Sequence, residues 1–102
     1  MNNLSSSQRS YLRSQSHHLE PVVLIGKNGV TDGTLVTINR ALNAQELIKI
    51  KFREYKDEKQ SISQQIADST ESNVVGIIGH TIILFRKNHD LEKQNIHLSG
   101  IK

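Results

Sequence analysis

The residues of this sequence with the clearest chemical potential are four in succession, Gly26-Lys27-Asn28-Gly29. The two glycines lack a Cβ, so the backbone can adopt positive φ angles and approach a ligand closely, and Lys27 adds a positive charge between them. Such a loop can hold a phosphate group, particularly where a helix follows and its first N–H groups point at the same anion. The alternative is an ordinary strand-to-helix turn, in which Asn28-Gly29 is present for its backbone angles.

The glycine spacing is weak evidence by itself. At the usual glycine frequency, such a pair is expected by chance in about half of chains of this length. Gly76-Ile77-Ile78-Gly79 has the same spacing, but its apolar middle residues favour a structural role in a tight hairpin. The residues alone therefore leave phosphate binding and a plain turn as equal alternatives for the first loop.

Two further sets of basic residues recur at the spacing of regular structure. Residues four apart share one face of a helix, and this set is Arg9, Arg13 and His17. Alternate residues share one side of a strand, and this set is Lys49, Lys51 and Arg53. Both sets could contact phosphates. The alternatives are a solvated helix face for the first set and a charged edge strand that resists aggregation for the second.

The charge distribution favours an anionic partner for the first half of the chain. The formal net charge of the 102 residues is +3 at pH 7. Through Arg53 there are seven Lys and Arg against three Asp and Glu, whereas the remainder has six against seven. A basic region of this kind is compatible with nucleic-acid binding, although so modest a total is also common among proteins that bind no anion.

Catalytic and metal-binding patterns are absent from the sequence. The chain has no Cys, and it contains no P-loop, dinucleotide-binding motif or nucleophile elbow. His17 and His18 are adjacent, so on a helix they point about 100° apart and cannot readily share a metal ion. We therefore expect neither an enzyme nor a bound metal or cofactor. The polar N-terminus and the lack of a long apolar run predict a soluble, cytoplasmic protein without membrane contact.

The hydrophobic pattern predicts seven elements in the order α-β-α-β-α-β-β. They are a helix over 5–18, a strand over 22–25, a helix from 31 or 32 to 43, a strand over 46–53, a helix from 57, and strands over 73–78 and 81–87. The unbroken apolar run of the first strand predicts a central strand covered on both faces. The last two strands predict a hairpin with a tight turn at Gly79-His80.

These elements define the predicted fold class and domain organisation. The fold class is α/β, a compact two-layer sandwich with a four-stranded mixed sheet and about three helices. One domain is expected over residues 1–87, because the chain is too short for a second core of comparable size. Residues 88–102 are expected to be a polar, flexible C-terminal tail.

Several short segments, taken together and in this order, are more specific for a protein family than any one of them alone. They are Gln8-Arg9, Tyr11-Leu12-Arg13, His17-His18-Leu19, 21–31, Ala41-Leu42 and 46–51. Together they resemble the CRM (chloroplast RNA splicing and ribosome maturation) domain, specifically its stand-alone bacterial YhbY-like form. The resemblance implies a fold similar to the C-terminal domain of bacterial translation initiation factor three. It also implies RNA binding through a G-x-x-G loop and the adjacent basic surface, and a link to maturation of the large ribosomal subunit.

The sequence thus predicts a non-catalytic, monomeric RNA-binding protein. Its expected partner is ribosomal RNA or a pre-ribosomal particle in large-subunit assembly, with ribosomal proteins as further candidates. The candidate RNA-binding residues are Gly26, Lys27, Asn28, Gly29, Arg9, Arg13, His17, Lys49, Lys51 and Arg53. One alternative is a protein-interaction module that docks a ribosomal protein or assembly factor without direct RNA contact. Another is general DNA binding, because positive charge alone does not distinguish the two nucleic acids.

Overall fold

The computed structural model of the protein describes residues 4–88, 90, 96 and 98 of the chain. The elements run in the predicted order: α1 Ser6–Ser16, β1 Pro21–Ile25, α2 Asp32–Gln45, β2 Leu47–Phe52, a 3₁₀ turn Lys56–Glu58, α3 Lys59–Thr70, β3 Asn73–Ile78 and β4 Thr81–Phe85. No helix in this part of the chain is long and apolar enough to cross a membrane.

The first two helices begin at reciprocal hydrogen-bonded caps. The side chain of Ser5 accepts a hydrogen bond from the N–H of Gln8, and the side chain of Gln8 accepts one from the N–H of Ser5. Thr31 and Thr34 form the same arrangement at the start of α2. Such caps satisfy N–H groups that have no partner within the helix, which explains why both predicted starts are confirmed.

The four strands form one mixed sheet in the order β1-β2-β4-β3. β1 and β2 are parallel, whereas β4 is antiparallel to both β2 and β3. The predicted hairpin at Gly79-His80 is confirmed, with Gly79 at φ +59°. The prediction that β1 is central and covered on both faces was wrong, because β1 lies at the edge of the sheet and its Leu24 is 47% exposed. Its register shifts between Pro21 and Val23, and this irregularity lets two successive valines pack on the same core.

The sheet carries helices on both faces. On one face, alternate residues of β2 and β4 pack against α2 and α3: Ile48, Ile50, Phe52, Ile82, Leu84, Ile38, Leu42, Ile66 and Ala67. On the opposite face, Leu12 of α1 packs against Leu47, Val75, Ile83 and Phe85. The mixed sheet and three helices are confirmed, but they make three layers where two were expected. Four consecutive buried residues in β4, 82–85, require cover on both faces.

Arg86, directly after β4, joins the two helices on the first face. Its Nη1 donates hydrogen bonds of 2.7 Å to Asn39 Oδ1 and to the carbonyl of Thr70. Its Nη2 donates to the carbonyl of Asn39 at 3.1 Å and to Asn43 Oδ1 at 2.8 Å. Burial lowers the pKa of the Arg86 guanidinium, and the carboxylate of Glu71 opposes that effect. The guanidinium stays charged and ties α2 to the end of α3.

The buried Glu46 links α2 to the C-terminal part of the chain. It follows α2 with φ +63° and has no exposed surface. Its carboxylate accepts hydrogen bonds from the N–H groups of Asn88 at 2.6 Å and Ile96 at 3.1 Å. Ile96 and Leu98 are half-buried against the α1 face of the sheet. Most of the predicted tail, 88–102, lies outside the described residues, so its flexibility and the domain boundary at 87 stay predictions.

Candidate nucleic-acid interface

Several of the predicted site residues lie at one end of the sheet. β1 and β2 are parallel, so the C-terminal ends of both strands are at this end, and the β3–β4 hairpin turns there as well. The N–H groups of Arg53 and Glu54 donate to the carbonyl of Ile25 at 2.9 and 3.1 Å, and the N–H of Phe52 donates to the carbonyl of His80 at 2.7 Å. These bonds hold the 26–29 loop, the 53–58 segment and the hairpin together.

The 26–29 loop is a turn in which the two glycines have different requirements. The N–H of Gly29 donates to the carbonyl of Gly26 at 3.0 Å, which closes the turn. Gly29 has φ +66°, a conformation that favours glycine. A Cβ built on Gly26 would meet nothing within 4 Å, and Gly26 has no positive φ. The fold therefore favours a glycine at position 29 but does not require one at position 26. Lys27 and Asn28 between them are exposed.

The N-terminus of α2 offers less to an anion than the sequence predicts. α2 begins at Asp32, and Thr31 Oγ1 already accepts a hydrogen bond of 3.2 Å from the N–H of Thr34. The carboxylate of Asp32 lies in the first turn, where it complements the helix dipole in place of an external anion. The loop backbone and Lys27 are therefore the main groups at this end of the sheet that could bind an anion.

Tyr55 supports the loop from the neighbouring segment, and sequence reasoning missed it. Its hydroxyl donates a hydrogen bond of 2.7 Å to the carbonyl of Lys27. Its ring lies against Gly29, since a Cβ there would be 3.6 Å from the Tyr55 Cε2. The Tyr55 backbone is left-handed, with φ 57° and ψ 35°, which costs a residue of this kind about 1–2 kcal/mol. The only sequence signal was an aromatic residue within the charged stretch 53–59.

An open depression of about 620 Å³ lies beside Tyr55. Its lining residues are Lys27, Arg53, Glu54, Tyr55, Lys56, Asp57 and Glu58. The structure thus brings Lys27 and Arg53 together, as the prediction of a common basic surface requires. The same depression also contains three carboxylates, so it is of mixed charge.

The strand residues Lys49 and Lys51 lie on the α1 face of the sheet, on the same side of β2 as Leu47. β2 is an internal strand between β1 and β4, so the alternative of a charged edge strand does not apply. Lys51 is exposed and Lys49 is half-buried. With Arg53, which directly follows the end of β2 and lies beside Lys27, they form a basic row that leads from the interior of this face to the loop.

The basic residues of α1 lie over the same face. The Nη1 of Arg13 donates a hydrogen bond of 3.4 Å to the carbonyl of Val75. A Cβ on Gly76 would be 3.0 Å from the Cδ of Arg13, so this glycine makes room for the arginine side chain. Gly76 pairs with Ile83, which pairs with Lys49, and Arg13 is therefore level with Lys49 across the sheet.

The remaining two predicted residues of α1 are less engaged with the sheet. Arg9 is half-buried, and His17 is exposed at the C-terminal cap of the helix. α1 packs over Leu47 and Phe85, at the end of the sheet opposite the loop. The helix residues and the loop therefore lie at two ends of one face, and the basic row of β2 lies between them.

The fold and this face define a class: a small α/β domain with a glycine-bounded basic loop beside a basic sheet surface. The chain belongs to the CRS1/YhbY (CRM) domain family, whose model matches residues 4–86. It is 40% identical over 95 residues to a Haemophilus influenzae protein named as an RNA-binding protein, a match that covers 92% of this chain and 96% of the relative.

Two further comparisons agree with this family membership. The chain is 35% identical over 99 residues to a Pseudomonas aeruginosa protein named as a probable RNA-binding protein, with 96% of this chain and 92% of the relative covered. Its fold is similar to the solution structure of a hypothetical Staphylococcus aureus protein described as a candidate RNA-binding protein. That match has a TM-score of 0.77 and 28% identity, and it covers 93% of this chain and 100% of the other.

Proposed function

We propose that this protein is a non-catalytic RNA-binding protein that holds the RNA backbone at the 26–29 loop and along the basic row of β2. The observation that carries the proposal is the exposed Lys27, in a turn whose first glycine leaves open space for close approach. Backbone N–H groups and an ammonium bind phosphate without reading bases. The names of the Haemophilus and Pseudomonas relatives support RNA as the ligand.

The remaining predicted residues extend this contact. Lys51 and Arg53 continue the surface from the loop, and Lys49 and Arg13 lie further along the same face. Arg9 and His17 are the outermost residues of the proposed surface. Because these groups differ in burial, we expect the exposed Lys27, Lys51 and Arg53 to contribute most to phosphate binding.

The proposed RNA is ribosomal, and the proposed role is assembly of the large ribosomal subunit by a cytoplasmic monomer. This finer assignment is supported by the resemblance to stand-alone bacterial family members. Crosslinking the protein to RNA in cell extract, followed by sequencing of the attached RNA, tests it directly. We expect reads from one region of large-subunit RNA. Reads spread over messenger and transfer RNA would contradict the ribosomal assignment while leaving RNA binding in place.

The binding surface is tested by reversing one charge in the loop. We expect Lys27→Glu to weaken binding to a structured ribosomal RNA fragment about tenfold at about 0.1 M salt, which corresponds to roughly one charged hydrogen bond. The slope of log K against log salt should become shallower by roughly 0.7–0.9 for each phosphate that the protein no longer neutralises. Fluorescence anisotropy at several salt concentrations measures both quantities.

Arg40→Glu is the matched control, because Arg40 is exposed on α2, the helix that packs on the opposite face of the sheet. It makes the same change in net charge, and we expect less than a threefold effect. Equally weakened binding in the two variants would show that total charge, and not this surface, governs binding. A DNA competitor of equal length and structure, displacing RNA equally well, would favour general nucleic-acid binding.

A second candidate function is docking of a ribosomal or assembly protein through the same sheet face. Leu24, Lys51, Thr81 and Ile78 form one row across the four strands next to the loop. The two apolar members of this row, Leu24 and Ile78, are 47% and 54% exposed. Association with ribosomal particles that survives nuclease and high salt, and that is abolished in Ile78→Ser, would favour this function over RNA binding.

A further inference from the structure

We propose that Tyr55 is the floor of a base-binding site next to the phosphate-binding loop, on which one unpaired nucleobase stacks while the adjoining phosphate lies on the 26–29 loop. This inference rests on the proposed function, because it assigns a second contact to the same RNA. It adds a preference for RNA that contains unpaired bases.

Tyr55 lies on the loop with part of its ring open to solvent. Tyr55 belongs to neither core cluster and is 41% exposed, so burial does not explain its left-handed backbone. One part of the ring contacts Gly29, and the hydroxyl is fixed on the carbonyl of Lys27. The ring is therefore held against the loop while it remains accessible to a ligand. Unusual backbone conformations that the core does not require are concentrated at binding sites.

The depression beside Tyr55 combines an aromatic ring with groups of both charges. Its lining contains the basic residues Lys27, Arg53 and Lys56 and an equal number of carboxylates, from Glu54, Asp57 and Glu58. The carboxylates offset these positive charges, so the depression is not selective for phosphate, and they can accept hydrogen bonds from the amino groups of bases. An aromatic ring within a mixed-charge depression suits a base, whereas Lys27 at its rim suits the phosphate. Stacking of one base on an aromatic ring contributes about tenfold or more to affinity.

Two substitutions separate stacking from support of the loop. Tyr55→Asn removes the ring but tolerates the left-handed backbone, so the fold should persist. Tyr55→Phe keeps the ring and removes only the hydroxyl that bonds to Lys27. We expect Tyr55→Asn to weaken binding to an RNA stem–loop about tenfold and binding to a blunt RNA duplex less than threefold. Tyr55→Phe should retain most of the stem–loop affinity.

Tyrosine fluorescence provides an independent measurement, because the chain has two Tyr and no Trp. In a Tyr11→Phe background, Tyr55 is the only fluorophore of this kind. We expect the stem–loop to quench its emission, since stacking brings a base onto the ring, and the blunt duplex to leave it nearly unchanged. The quenching should persist in buffers of higher salt whenever the protein remains saturated with RNA.

The possible results separate this inference from the proposed function. If Tyr55→Asn binds the stem–loop as tightly as the wild type and Lys27→Glu binds it more weakly, the base-binding site is overturned. The proposed phosphate contact at the loop is then retained. Equally weakened binding in Tyr55→Phe and Tyr55→Asn without quenching would overturn stacking and assign Tyr55 to positioning of the loop. Unchanged binding in Lys27→Glu and Tyr55→Asn alike would overturn both the site and the proposed surface.

Discussion

Replacement of each loop glycine by alanine separates the needs of folding from those of binding. Gly29 has φ +66°, and alanine in this left-handed region costs about 1–2 kcal/mol. An added Cβ would lie 3.6 Å from Tyr55 Cε2, which is ordinary contact and adds no steric cost. We therefore expect Gly29→Ala to lower the free energy of unfolding by about 1–2 kcal/mol, and Tm by roughly 4–8 °C for each kcal/mol in a domain of this size.

Gly26→Ala should preserve the stability of the domain and weaken RNA binding. Nothing lies within 4 Å of a Cβ at this position, so the native state accepts alanine without strain. The change also restricts the unfolded chain, and we expect Tm to stay constant or to rise, in line with a stabilisation of about 0.4–1 kcal/mol. A phosphate seated on the loop backbone would meet the new methyl group, however. Weakening by about tenfold is expected if one charged hydrogen bond is broken.

Thermal unfolding followed by circular dichroism measures the first quantity, and fluorescence anisotropy with a ribosomal RNA fragment measures the second. Gly33→Ala is the control, because Gly33 lies in α2 and a Cβ there would be in ordinary contact with Thr31. It should not weaken RNA binding. Wild-type affinity in Gly26→Ala would refute close approach of RNA to this backbone. An unchanged Tm in Gly29→Ala would refute the argument from its φ angle.

Two further predictions concern the stability of the domain, and urea unfolding measures both. Arg86→Met should lower the free energy of unfolding by about 2–4 kcal/mol, because it removes the charged hydrogen bonds to α2 and α3. A decrease below about 0.5 kcal/mol would mean that water fully replaces the hydrogen bonds of the guanidinium. Ile66→Ala should cost about 2–5 kcal/mol through a cavity in the fully buried α2–α3 face, whereas its exposed neighbour Gln65→Ala should cost less than about 0.5 kcal/mol. Equal destabilisation at 65 and 66 would contradict the burial of that helix stripe.

The order of the elements follows from the sequence because local signals agree with the final fold. Ser5 and Thr31 are good helix caps, and the alternation of Ile48, Ile50 and Phe52 marks one buried side of β2. The position of β1 could not be predicted in this way. A continuous apolar run is typical of a central strand, but here a register shift after Pro21 places Val22 and Val23 on the same core, and the run continues through Leu24, which is exposed.

The sequence predicts the parts of the candidate site whose residues are close together in the chain. It does not predict the contacts between residues that are distant in sequence. The 26–29 loop and the alternating lysines of β2 are visible as local patterns. Tyr55 is 28 residues from Lys27, and its left-handed backbone opposes the preference of an aromatic residue. The fit of Arg13 over Gly76 likewise depends on α1 crossing β3, an approach that no local pattern specifies.

The edge position of β1 has a consequence for how the loop behaves. In the described part of the chain, β1 pairs with β2 alone, whereas β2 and β4 are each bonded on two sides. Strands held on one side open locally at a lower free energy than the centre of a sheet. The 26–29 loop is therefore attached to one of the two outer strands of the sheet, and it can adjust to the contour of a ligand while the central strands keep their register.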